Sequence, residues 1–464
     1  MITVGKTPYA LVLPAFSLMT AGCAMYHSMP MDPVAVDTAL TGPDWETVRK
    51  QASTFSHPAI QSLTFDDRDG LSPEELAVMA VLTNPQLKAE RDRCGVANAQ
   101  LLQAGLLPNP QLTTALDIPN GNGSMEGLYT GGLVDLSWDI TSLITHPSER
   151  RAARAEYESV RLDVAWQEWQ AAQAARLHAY RLLNLREQLT LARELEADGQ
   201  QRLAFAKQAN AQRQITVVEL SAMEDIALLA QNNRRAIEQT LNTEESDLKL
   251  AVGVSPETRL PLQPAAIHLE NAPFGSELAK AWTTEIESQR LDLLALKQGY
   301  DSQEENVRTA IRSQFPAINI NGNRTRDTGD VKSVGIGLSI DLPLFDRGQG
   351  RIAMERATRK QLFDDYTARV AEARAQVAQM GMQMDSVLNQ WKAGHENAGK
   401  LEQRAANAKK AYDEGRINAA NYFDLRDQWI NRRLDELALQ NEWINLRLAL
   451  ALAAGRPITP NLEL

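Results

Sequence analysis

The sequence of 464 residues is short of cysteine, of positive charge and of long apolar runs. Its two cysteines, Cys23 and Cys94, cannot build a disulfide framework. Cys94 falls in a helical pattern and reads as a small buried hydrophobe. Lys and Arg number 48 against 59 Asp and Glu, a net charge of −11. No extended basic patch is offered to a nucleic acid. No run of about 18 apolar residues follows the N-terminus, so no membrane-crossing helix is expected and any span has to be β. A nucleophile motif, a phosphate loop and HExxH are all missing. The six histidines are scattered, without i, i+4 ligand partners. Neither a catalytic residue nor a cofactor is expected.

Proline is missing where it matters most. None occurs between Pro147 and Pro256, nor between Pro343 and Pro457, and each window exceeds 100 residues. Proline breaks helix interiors, and both windows are rich in Ala, Leu, Arg, Glu and Gln, so each window suits two very long helices. A helix of about 60 residues would reach roughly 90 Å, a length that ducts and coiled coils use and globular domains rarely do.

The two windows and their flanks look alike. GLLPNPQLTTALDI (residues 105–118) and GGLVDLSWDI (131–140) precede the first. RSQFPAININGNR (312–324) and SVGIGLSIDLPLFDRGQGRIA (333–353) precede the second. Pro108 matches Pro316, Asp139 matches Asp341, and LKLAVGVSP (248–256) matches LALALAAGRP at the close of the second window, an offset of about 200 residues. This is an internal duplication, each half reading helix, strand, strand, long helix, helix. The strands alternate: Leu112, Thr114 and Leu116 share one face, as do Ile318 and Ile320, and Leu338, Ile340 and Leu342. Each is about 8–10 residues long, enough to cross a bilayer when tilted. Membrane barrels need about eight strands or more, so four per chain imply an oligomer, and three chains would supply twelve. A pair of soluble hairpins capping a helical body is the alternative. In the last helix Ile430, Leu434, Leu437, Ile444 and Leu448 form one seam, interrupted by Asn441, and Leu439, Trp443, Leu446 and Leu450 form a second. Two seams mean neighbours on two sides. Ala171, Ala172, Ala174 and Ala175 allow close helix approach.

The N-terminus reads as a targeting segment. An apolar run from Tyr9 to Leu18 ends in TAGC at residues 20–23. Small residues before a cysteine resemble a bacterial lipoprotein cleavage site, with Cys23 the acylated first residue; a plain secretory signal is the alternative.

The phrase PLFDRGQGRIA (343–353), the LxxAGLLPNPQL phrase (101–112), the duplicated halves and the lipobox together resemble the outer-membrane efflux proteins typified by TolC. The resemblance spans roughly residues 70–456. It implies a mainly α protein with a small β part: a long α-helical periplasmic barrel plus four transmembrane β-strands per protomer, closing as a twelve-stranded barrel in a homotrimer. It implies a passive outer-membrane channel of a tripartite efflux pump for drugs or heavy-metal ions. The partners would be a periplasmic adaptor (a membrane fusion protein), an inner-membrane resistance-nodulation-division pump and outer-membrane lipid. A duct for ABC-driven protein secretion shares the fold, and a non-pore periplasmic coiled-coil protein is the reading from another class.

The chain then divides into a signal peptide (1–22), a lipidated strap (23–70), a first repeat (71–255), a proline-rich linker too broken for helix (256–279), a second repeat (280–456) and a tail (457–464). The family's gate lies at the helix turns of the periplasmic tip. Here Asp424 and Asp427 are three apart and share a helix face, which would set rings of carboxylates at the constriction. Arg426 could pair with either in a neighbouring chain. The first tip offers Glu219 instead. Two methionine groups invite a soft-metal reading: Met25, Met29 and Met31 with His27, and Met380, Met382 and Met384. Residues two apart on a helix diverge, so the second group cannot form one site.

The lipid anchor is tested directly. Cys23→Ala should abolish incorporation of a labelled lipid precursor while the channel still assembles; labelling that persists in the variant removes Cys23 as the acylated residue.

Overall fold

The computed structural model describes residues 25–40, 45–60, 65, 70–120, 127–264, 269–270 and 272–457. The signal segment and Cys23 lie outside them. Met1–Pro43 and Asp44–Leu464 are separate units. In the first, α1 (Pro33–Leu40) is capped by Asp32, whose Oδ1 accepts from Ala35 N at 2.7 Å. Met25, Met29 and Met31 are exposed.

In the second unit α2 (Trp45–Thr54) and α3 (Pro73–Thr83) precede α4 (Pro85–Ala104), β1 (Gln111–Asp117), β2 (Gly131–Asp139), α5 (Ser142–Ala211) and α6 (Val217–Val252). After two short helices, α7 (Gly275–Thr283) and α8 (Ile286–Gln289), the order repeats: α9 (Leu291–Arg312), β3 (Ile318–Arg326), β4 (Lys332–Ile340), α10 (Gln349–Asp413) and α11 (Ala419–Ala454). Each proline-free window gives one very long helix, of 70 and 65 residues, and a return helix of 36; the first long helix starts at Ser142, before its window, and takes in Pro147. At 1.5 Å per residue the longest is about 105 Å. Three expectations need correction. The segment read as a strap contains α1 and α2. Helix α7 starts inside the linker, because the last linker proline, Pro273, falls before the helix and blocks nothing. Cys94 is half-buried, on the partly exposed side of α4.

The four strands form one antiparallel sheet in the order β1-β2-β3-β4. Its register puts Leu112 beside Leu136, Ile320 beside Leu338 and Gly322 beside Ile336. This face is apolar and exposed, with Leu116 at 77% and Ile336 at 91%. The other face carries Asp135, Asn319, Asn321 and Asn323. Asn321 donates to Asp135 at 3.1 Å, and Gly335 and Gly337 leave room for the Asn323 and Asn321 side chains, which lie where a Cβ would sit.

The helices follow the strand order. Helix α9 packs against both α5 and α10: Ser159 donates to Ala295 O at 2.8 Å, and Gln303 donates to Glu355 O at 3.0 Å. Ala172, Ala175 and Ala179 of α5 are fully buried, and these small side chains give the close approach the sequence suggests. The two seams of α11 do not sort between two partners. Ile430 and Leu437 of the first seam meet Leu191 of α5, while Ile444 and Leu448 of the same seam join Trp443 and Leu450 of the second in one cluster with Val377, Met384 and Leu388 of α10. Asn441 keeps a buried Oδ1 without a hydrogen-bond partner. Met384 is buried and Met382 is 64% exposed, as the helical spacing requires.

Both return helices end the same way. Gly253 (φ +77°) and Gly455 (φ +68°) close α6 and α11 in the left-handed region. Each sits against the start of its own repeat's first helix. Thr83 and Asn84 donate to the carbonyls of Val252 and Ala251 at 2.5 and 3.0 Å. Arg290 donates to Ala453 O at 3.1 Å, while Asp292 accepts both of its other donors at 2.7–2.8 Å. A Cβ on Gly253 would lie 2.6 Å from Asn84 Cα, and one on Gly455 2.7 Å from Arg290 Cα. Gly253→Val or Gly455→Val should therefore destabilise the chain by about 1–3 kcal/mol through backbone strain, before any displacement of the neighbour. A lowered thermal unfolding midpoint of the detergent-solubilised protein is the readout, and an unchanged midpoint would show these closures to be dispensable.

Candidate functional site

The site is the far end of the helices, where α5 turns into α6 and α10 into α11. At the second turn Gly415 takes φ +67°, and Asn418 caps α11 by accepting from Asn421 N at 2.9 Å. At the first turn Arg213 adopts the same left-handed conformation at φ +58°, so an arginine is strained where the second turn has a glycine. Glu219 is committed locally. It forms a capping box with Thr216, accepting from Thr216 N at 2.7 Å and Oγ1 at 2.9 Å. Those bonds hold its carboxyl below the usual range.

Asp424, Arg426 and Asp427 all lie in the first turns of α11, and all three face α5 of the same chain. Arg202 is the hub: its Nη2 donates to Asp427, its Nη1 lies 3.7 Å from Asp424, and its guanidinium sits 5.4 Å above the Phe423 ring. Arg426 reaches Glu194 at 3.1 Å and Asp198 at 3.0 Å, and donates to Tyr422 Oη at 3.0 Å. The Asp198 contact has ion-pair distance without hydrogen-bond alignment, since that oxygen has no hydrogen-bond partner. Tyr422 stacks on Tyr412 at 5.2 Å, and both Tyr422 and Phe423 are buried with Ala408. The two repeats are thus tied by two guanidiniums and four carboxylates around an aromatic plug.

Exposure divides the carboxylates. The side chain of Asp424 is 66% exposed, that of Asp427 22%, and that of Asp198 6%. Arg426, which the sequence offers to a neighbouring chain, is occupied within its own. The sequence reading missed Glu194, Asp198 and Arg202. Their spacing of four residues along α5 was the available signal, since it places three charges on one helix face. Among the described residues His178, Glu244 and Asp247 come within 4.8 Å of one another, but Glu244 is shared with Arg181 at 3.3 Å and bonded to His178 at 2.7 Å.

Burial pushes the Asp198 and Asp427 carboxyls up from the usual carboxylate range, outweighing the pull of Arg426 and Arg202 in the other direction. An acid whose folded pKa is raised binds its proton more readily in the folded state. Its stabilising contribution is full below the unfolded pKa and is lost as pH rises through the folded one.

Residues 282–456 match the family model of the outer membrane efflux proteins. No curated protein sequence matches the chain. Among solved structures, CusC is similar at a TM-score of 0.66 and 16% identity, over 90% of this chain and 99% of that one. The outer membrane protein VceC of Vibrio cholerae is similar at 0.66 and 16%, over 83% and 97%. The CmeC outer membrane channel of Campylobacter jejuni is similar at 0.66 and 14%, over 89% and 93%. The fold is therefore that of these outer-membrane channels, a helical body with a small β part.

The tip should resist protease more strongly as pH falls from about 7 to about 4, because Asp198 and Asp427 take up protons in place. Asp427→Asn should flatten that dependence. Arg202→Gln should do the reverse of acidification, loosening α11 by about 1.5–3 kcal/mol as a charge-assisted bond is lost. Tip cleavage that is unaffected by Arg202→Gln at neutral pH would contradict the ion-pair geometry.

Proposed function

We propose that this chain, which carries an outer membrane efflux protein domain over residues 282–456 and has the channel fold over the rest, is one protomer of a homotrimeric outer-membrane duct. It exports small solutes, drugs or heavy-metal ions, as the outer component of a tripartite pump. The adaptor and the inner-membrane pump, of the resistance-nodulation-division class, would supply specificity and energy. The duct itself makes and breaks no bonds. The observation that carries this reading is the two-faced sheet. One face is apolar and open, with Leu116, Val334 and Ile336 exposed, and the other is polar, with Asp135 and three asparagines. A sheet with lipid on one side and water on the other needs that division. A soluble hairpin pair capping a helical body would have no use for an uncovered apolar face of this size.

The α5–α11 contact is the proposed gate. Asp424 is the most exposed of the four carboxylates, so three copies would form a ring that favours cations at the constriction. Asp427 and Arg426 hold α11 against α5 and keep that ring narrow. Opening then means moving α11 off α5, at the expense of two partly buried ion pairs.

In planar bilayers the Asp424→Ala, Asp427→Ala double variant should conduct more than the parent and discriminate less for cations. An unchanged single-channel record would remove the gate assignment. The class of solute is read by deleting the gene and scoring susceptibility to metals, dyes and antibiotics; unaltered tolerance to all three would contradict an efflux role.

A further inference from the structure

The apolar face of the sheet is not apolar to its end. At the hairpin end, opposite to where α5 and α10 leave the strands, the register sets Arg324 beside Val134 and Val334, and Arg326 beside Gly132 and Lys332. All three cations share the face that carries Leu116, Val334 and Ile336. Arg324 and Lys332 are exposed, and among the described residues neither has a carboxylate partner. Arg326 is fixed from two sides: Asp330 Oδ1 accepts from its Nε at 2.6 Å, and its guanidinium lies 5.3 Å from the centre of the Tyr129 ring. Between these cations and the Leu116 and Val134 side chains runs a groove of about 430 Å³. The polar face at the same level has no such cations, and Thr325 pairs there with Ser333.

Cations on the lipid side of a barrel are costly at mid-depth and tolerated near the interfaces. Grouped above an apolar wall, two of them without a carboxylate partner among the described residues, they fit a ligand with anionic oxygens on top and hydrocarbon below. We infer that Arg324, Arg326 and Lys332 form a site for a phosphorylated lipid of the outer leaflet, its phosphates on the three cations and its acyl chains along Leu116, Val134 and Ile336. The inference rests on the proposed barrel, since only a sheet closed within the outer membrane turns this face towards lipid. Tyr129 and Asp330 hold Arg326 at the rim, so the site is partly organised before lipid arrives.

The test uses the full chain, delipidated in detergent and followed by native mass spectrometry with bisphosphorylated lipid A. The parent should bind it. The Arg324→Gln, Arg326→Gln, Lys332→Gln variant should bind it roughly 100-fold more weakly, and lipid A stripped of both phosphates should bind the parent as poorly. Ser333→Gln, on the opposite face, should leave binding unchanged. Equal binding by the triple variant, equal binding of the stripped lipid, or full displacement by millimolar inorganic phosphate would each overturn the site. If the triple variant does not assemble, Lys332→Gln alone should lose about fivefold, and no loss there would overturn it as well. Absence of any trimer in the parent spectrum counts against the barrel instead, so the two failures are distinguishable.

Discussion

Everything in this chain is organised by a sheet that cannot close on itself. Four strands in the order β1-β2-β3-β4 leave two edges, each a row of backbone donors and acceptors. In hydrocarbon, where the proposed function puts the sheet, every such group without a partner would cost several kcal/mol, and an exposed apolar face is unfavourable in water. Joining β4 of one copy to β1 of the next resolves both. The helices inherit the arrangement. Because α5 continues from β2 and α10 follows β4, the strand order sets the helix order, with α9 lying against both. In the proposed trimer, closing the sheet would therefore also close the ring of helices beneath it.

The helices then need fixing at both ends. At the strand side of the body, Gly253 and Gly455 end the return helices against Asn84 and Arg290, one closure per repeat. These are tight backbone contacts with no room for adjustment. At the far end the joint is electrostatic: Arg202 and Arg426 bridge α5 to α11, with partners that range from buried Asp198 to exposed Asp424. A sterically locked end and an ion-paired end give α11 a fixed root and, in the proposed gate, a tip to be released. Coulomb interactions between partly solvated groups respond to partners and pH, whereas backbone packing does not. The proposed gate is placed where the protein's interactions are adjustable.

Much of this was legible in the sequence, and for physical reasons. Proline disfavours a helix interior, so two long proline-free windows announced long helices, although α5 starts before its window and takes in Pro147 near its N-terminus. The strict alternation of Leu112, Thr114 and Leu116 gave a face to β1. The duplication was visible because turns and strand ends need particular residues, among them Gly253 and its counterpart Gly455. Less legible was whatever depends on pairing across the fold. Arg202 looks like any helical arginine until α11 is laid against it. Helix α7 hid behind Pro273, because composition averaged over a segment does not say on which side of a proline a helix begins. Arg213 takes a left-handed conformation that glycine would adopt more readily, and nothing local signals that this turn will hold it there. Cys94 failed for a similar reason, since α4 has a partly open side that its own sequence pattern does not mark.

The central claim is closure by three copies, and native mass spectrometry of the full chain released from detergent micelles addresses it most directly. The account predicts a trimer that persists in sodium dodecyl sulfate until heated, when the strands separate. A monomer that retains its strand content and stays soluble without detergent would contradict it, because a four-stranded sheet with an exposed apolar face would then be stable alone.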